Sequence, residues 1–127
     1  MDWKLELVTI PVSDVDRAKA FYVEQAGFVA DHDHVVNEGL RFVQLTPRGS
    51  ACSIAIGTGV TEAEPGSVRG LQLVVSDIEA ARAEQQQRHG QRCQEQASRA
   101  RAFVHCPLDH RAFTSSAFKI TTPLGST

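Results

Sequence analysis

From Leu7 to Ile10 the chain reads L-V-T-I, a nearly continuous apolar run with strand character, and then its period changes. Val15, Ala18, Phe21 and Tyr22 recur at three- and four-residue intervals, which draws one apolar stripe along a helix. Ser13 stands before the stripe with Asp16 three positions on. That is the spacing of a capping box, in which the serine oxygen accepts from an amide of the first helical turn. Gly27 closes the segment as a residue able to take the left-handed conformation beyond a helix end. Three runs with strand character follow, FVADHDHVV, GLRFVQLT and ACSIAIG, divided by Asn37-Glu38-Gly39 and Pro47-Arg48-Gly49-Ser50. The pattern predicts β-α-β-β-β, with the helix near residues 14–26.

The same phrase returns. Ser76 lies 63 positions after Ser13, and that offset places Val8 on Leu71, Ile10 on Leu73, Val12 on Val75, Asp14 on Asp77, Val15 on Ile78, Ala18 on Ala81, Lys19 on Arg82 and Gly27 on Gly90. A second helix is predicted near residues 77–89, with a thinner stripe of Ile78, Ala81 and Ala83, and Gly90 as its stop. Second-module strands then fall near residues 92–99, 102–108 and 113–121. Thr58 to Ser67, with Gly59, Pro65 and Gly66, reads as a linker. A period repeated only twice implies two halves of one domain, since a solenoid needs three or more units. The boundaries are module one 4–57, linker 58–67, module two 68–121 and tail 122–127.

With 127 residues, 42% of them hydrophobic and 22% charged, the chain can bury a core and fold as a single domain. The formal net charge of −2 offers no general basic field for nucleic acid, and no apolar run approaches the roughly 18 residues of a membrane span. Met1 to Val12 is too polar for a secretory signal. Cys52, Cys93 and Cys106 are odd in number and lack a C-x-x-C, which argues against a disulfide framework or structural zinc. These features predict a reduced, cytoplasmic protein. Charge is uneven: residues 1–90 carry −5, residues 91–127 carry +3. Only Phe103 falls between the late arginines, too little for a stacking platform, so that strip reads as a solvated surface.

SDVDRAKAFY followed by GF, then GLRFVQLTPRGSACSIAIG, then GLQLVVSDIEAARAE, resembles the vicinal oxygen chelate superfamily of glyoxalases, bleomycin resistance proteins and extradiol dioxygenases. The likeness spans residues 4–90 and departs from 91 to about 115, where Asp109-His110-Arg111-Ala112-Phe113 lacks the glycine of the family's closing turn. The resemblance implies an α+β fold: two paired βαβββ modules forming a partly open eight-stranded barrel-like sheet. It also implies a ligand cavity inside the curl, and a homodimer. In the family's metal enzymes a histidine precedes the helix-opening aspartate by seven residues. Those positions here are Leu7 and Gly70. The family's final-strand glutamate corresponds to Lys119 in A-F-K-I-T-T. Its first-module counterpart is Ile56 by the offset, or Ala55 or Gly57 if the register slips. None supplies the oxygen, imidazole or thiolate donor that a divalent metal requires.

If Leu7 faces the cavity, period two sends Thr9 inward and Val8, Ile10 and Val12 toward the helix; by the repeat, Gln72 and Val74 point inward. The third strand adds either Phe42 and Gln44 or Arg41 and Val43, and the fourth adds Ile54 and Ile56, with Cys52 as a further candidate. The candidate ligand-binding set is therefore Leu7, Thr9, Phe42, Gln44, Ile54, Ile56, Gln72, Val74 and Lys119. No nucleophile with a base is evident, so no catalytic residue is assigned, and Cys52, with no cation near it in sequence, reads as a buried, inert thiol. His32 and His34 share a strand face about 7 Å apart and are outside candidates for a metal, though two ligands do not complete a tetrahedron. His105, Cys106, Asp109 and His110 form a looser group without zinc spacing.

Two functions stay open. The favoured one is a small-molecule-binding protein that holds an aromatic or anionic ligand with no metal cofactor. The alternative is a metal-dependent lyase, dioxygenase or transferase using a divalent ion to stabilise an oxyanion.

Overall fold

The computed structural model describes residues 1–99 and 118–121, and the chain divides into two compact units, Met1–Val68 and the remainder from Arg69. In the first unit, strand β1 (Leu7–Thr9) leads into helix α1 (Val15–Ala20) and a π-helical turn (Phe21–Gln25). Strands β2 (Val29–Asn37), β3 (Leu40–Thr46) and β4 (Ser53–Thr58) follow. The sheet order is β1-β4-β3-β2; β1 pairs with β4 in parallel and the other neighbours are antiparallel. This is a βαβββ module with α+β architecture.

Helix α1 begins one residue later than the serine spacing predicts. The cap is Asp14, whose carboxylate accepts from the Arg17 amide at 3.0 Å, and in the second unit Asp77 accepts from the Glu79 and Ala80 amides at 3.0 Å each. A carboxylate both satisfies the free amides and complements the positive end of the helix dipole, which gives it the advantage over the neighbouring serine hydroxyl. The end of the helical segment is held from below. Gly27 takes φ 75, the Ala26 amide reaches back to the Phe21 carbonyl and the Phe28 amide to the Tyr22 carbonyl at 2.8 Å. Phe28 then packs on Tyr22 with ring centroids 5.3 Å apart, supplying the apolar clasp that accompanies such endings.

The core lies between sheet and helix. Ile10, Tyr22, Phe28, Val43, Leu45, Ile54 and Ile56 are buried, with Val43, Leu45 and Ile56 excluded from solvent entirely. In the ladder Val43 faces Ile56 and Leu45 faces Ile54, so these four share the helix-covered face. An ionic clasp fastens the helix to the same side: Arg41 bonds Asp33 and Asp16, and Lys19 bonds Asp33 at 2.7 Å. The hydrogen bonds from Arg41 and then Lys19 hold the Asp33 carboxyl well below the usual carboxylate range, and Arg41 is correspondingly raised.

The second unit contains β5 (Leu71–Val74), helix α2 (Ile78–Arg99) and β6 (Phe118–Thr121), with β5 and β6 parallel. Helix α2 does not stop at Gly90, and residues 92–99 are helical where a strand was expected. The residue after Gly90 is Gln91, followed by the helix-compatible run R-C-Q-E-Q-A-S-R, so the second copy lacks the aromatic clasp that Phe28 gives the first. The expected strand at 102–108, residues 113–117 of the last strand, the turn at Asp109–Phe113 and the group containing His105 and His110 lie outside the described residues. So does the tail 122–127. No helix among the described residues is long and apolar enough to cross a membrane.

Candidate functional site

Strand pairing sorts the first unit's side chains onto two faces. Opposite the helix, Leu7 is in register with Ser53 and Thr9 with Ala55. Gln44 pairs with Ala55, and His32 and His34 pair with Gln44 and Phe42. Because register partners project to the same side, Leu7, Thr9, Phe42, Gln44, Ser53 and Ala55 line one open face with the two histidines at its β2 margin. Of the two alternatives on β3, Phe42 and Gln44 belong to this face. Arg41 is committed to the ionic clasp and Val43 to the core. Ile54 and Ile56, expected among the lining residues, stand on the helix side instead. The S-I-A-I-G alternation of β4 sends its isoleucines to the helix side and its small residues to the opposite face, where Ser53 and Ala55 are also buried.

A polar chain crosses the open face. Gln44 Nε2 donates to Ser53 Oγ at 3.2 Å, Ser53 and Thr46 share a hydroxyl contact at 2.7 Å, and Thr46 Oγ1 donates to the Asp31 carboxylate. The register shift between Ala30 and His32 is a β-bulge, and Asp31 is the extra residue it creates. Ser53 is buried to 5% exposure yet fully engaged, so the chain leaves no unpaired hydroxyl beneath the surface. Asp31, Thr46 and Ser53 are not among the candidate ligand-binding residues of the sequence. The alternation of β4 was a usable signal for Ser53, whereas a bulge leaves no trace in hydrophobic pattern.

The imidazoles of His32 and His34 stack with centroids 5.6 Å apart and planes inclined by 25°. No group of three or more His, Cys, Asp or Glu side chains that could hold a metal gathers among the described residues. Cys52 is half-buried rather than buried, its Sγ directed at the Ser53 carbonyl.

In the second unit, Gln72 is the register partner of Lys119, and Val74 that of Thr121. Gln72 and Val74 are exposed, Leu71 and Leu73 half-buried. The equivalent pair in the first unit is Thr9 and Ala55. Lys119 therefore answers to Ala55, one residue off the 63-residue offset that would match it with Ile56. The final strand of the second copy has slipped by a single position, which exchanges faces because side chains alternate with period two.

The family's metal positions do not fit a divalent ion. Leu7 offers a hydrocarbon and Ala55 a methyl group. Gly70 holds φ 81, a left-handed conformation in which a histidine would be strained. At the position of the family's final-strand glutamate the sequence has Lys119.

A parallel β1–β4 pair extended by two antiparallel strands and crossed by one helix defines the half-barrel module of the vicinal oxygen chelate class. No family model matches the sequence, and no curated protein does. Among solved structures the chain is similar to TnmS3, an antibiotic binding protein from Streptomyces sp. CB03234, at 36% identity, covering 68% of this chain and 71% of that one with a TM-score of 0.59. A glyoxalase/bleomycin resistance protein from the same organism aligns at 38% identity over 67% of this chain and 74% of that one, TM-score 0.57. A superfamily member from Sphaerobacter thermophilus aligns at 31% over 68% and 72%, TM-score 0.57. The chain belongs to the glyoxalase/bleomycin resistance protein/dioxygenase superfamily.

Proposed function

We propose that the chain is a small-molecule-binding protein that holds an aromatic or anionic ligand against the open face of its sheet without the metal of its catalytic relatives. One observation carries this reading: the face combines apolar contact from Leu7 and Phe42 with the hydrogen-bonding groups of Thr9 and Gln44, while the family's metal positions supply no donor. Binding pockets need that mixture of apolar wall and few polar groups. The similarity to an antibiotic binding protein supports it. The family's eight-stranded half-open barrel belongs to the same reading, with Gln72, Val74 and Lys119 as the second unit's candidate ligand-binding residues and the lysine as a group suited to an anion. Two copies would pair as a homodimer, covering sheet edges that are otherwise open.

Fluorescence titration with anilinonaphthalene sulfonate and a panel of aromatic antibiotics tests the reading. Saturable one-to-one binding is expected, weakened about fivefold or more by Phe42→Ala, as loss of an aromatic contact implies. Absence of saturable binding by every member of the panel would contradict it.

A further inference from the structure

The polar chain on the open face has only one consistent arrangement of protons. A carboxylate accepts and cannot donate, so the Thr46 hydroxyl spends its proton on Asp31. Thr46 then has only lone pairs to offer its neighbour, and the Ser53 hydroxyl must donate to Thr46 across their 2.7 Å contact. Ser53 in turn has only lone pairs left for Gln44, which must approach it with an amide N–H, as the 3.2 Å Nε2–Oγ contact shows. The opposite amide orientation would set Gln44 Oε1 against a hydroxyl whose proton is already engaged. Every donor in the chain thus points toward Asp31. At its far end the chain leaves Gln44 Oε1, a carbonyl oxygen that no donor among the described residues engages.

We infer that Gln44 presents this carbonyl to the ligand, and that the ligand therefore carries a hydrogen-bond donor, a phenolic or enolic hydroxyl or an N–H, beside an aromatic body lying on Phe42 and Leu7. The inference rests on the reading of this face as an aromatic binding site and narrows it to a chemical class. Asp31, Thr46 and Ser53 act as positioning residues: each fixes the orientation of the next, and the bulge in β2 delivers the carboxylate that sets the direction. The amide's second N–H remains for a nearby acceptor, but the carbonyl is the group whose presentation the chain enforces. A chain ending in an apolar residue in place of Asp31 would let the amide turn over and would select nothing.

The test compares naphthol with its methyl ether, a pair that differs in the donor and little in shape. Naphthol should bind the wild-type chain about five- to tenfold tighter than the ether, the value of one well-made hydrogen bond. Gln44→Met should bring the two affinities within about twofold of each other. Thr46→Val, which touches neither probe, should also reduce the ratio, a readout that loss of packing alone would not move. Equal binding of both probes by the wild-type chain would overturn the donor inference while leaving the aromatic site standing. Binding of neither would overturn the aromatic reading, and this inference with it. Because the wild-type comparison decides by itself, a variant that fails to fold does not remove the test.

Discussion

The two units start from the same phrase and finish differently. Asp14 and Asp77 cap their helices alike, and each helix follows a short strand that pairs in parallel with the last strand of its module. They part at the closing glycine. Gly27 turns into the left-handed region and Phe28 seats on Tyr22, whereas Gly90 lies inside a helix that continues to Arg99. A glycine permits a stop but does not impose one. What ends the first helical segment is an aromatic side chain with a core to enter, and the second copy has glutamine in its place.

The comparison can be broken hardest at the core. Ile56 is fully excluded from solvent, and Ile56→Ala should destabilise the first unit by about 2–5 kcal/mol in denaturant unfolding. The exposed Val74 of the second unit should tolerate Val74→Ala within about 0.5 kcal/mol. Next come the glycines. A Cβ on Gly57 would lie 1.9 Å from the Arg41 carbonyl oxygen, so Gly57→Ala should cost about 2 kcal/mol or more by forcing β3 and β4 apart. Gly27→Ala should cost about 1–2 kcal/mol, because φ 75 is a left-handed conformation that disfavours a Cβ. Gly90→Ala should stabilise by up to about 1 kcal/mol, its site being helical with nothing within 4 Å of an added Cβ. Equal signs for Gly27→Ala and Gly90→Ala in thermal unfolding would erase the distinction between the two helix ends.

The smallest effect is electrostatic. Asp33 has its folded pKa depressed by Arg41 and Lys19, so its contribution is complete above the unfolded value of about 4 and declines as pH falls through the lower folded value. A stability profile should be insensitive to this group between pH 5 and 8, roughly the range where carboxylates stay ionised, and should fall in acid. Asp33→Asn should flatten the acid limb.

Much of the first unit is legible in its residues. The period change from Leu7-Ile10 to Val15-Tyr22 marks strand and helix, and Phe28 to Gly57 divides into β2, β3 and β4 at its turn residues. Two kinds of information are missing. Face assignment on β4 depends on reading Ser53, Ala55 and Gly57 as the set opposite the helix, and apolar content alone does not separate them from Ile54 and Ile56. Register is also silent: the one-position slip that sets Lys119 opposite Gln72, and the bulge that brings Asp31 to Thr46, are properties of pairing between strands. Neither can be read along one strand. The extension of α2 past Gly90 belongs with them, since it turns on the tertiary anchor that Phe28 has and Gln91 lacks.

Calorimetric titration with nickel, zinc, manganese and iron(II) at neutral pH, run beside the anilinonaphthalene sulfonate titration, tests whether the open face binds its ligand without a metal. No stoichiometric metal site is expected, and probe affinity should be the same with and without a chelator. A tight one-to-one metal site whose removal by chelator abolishes probe binding would contradict it.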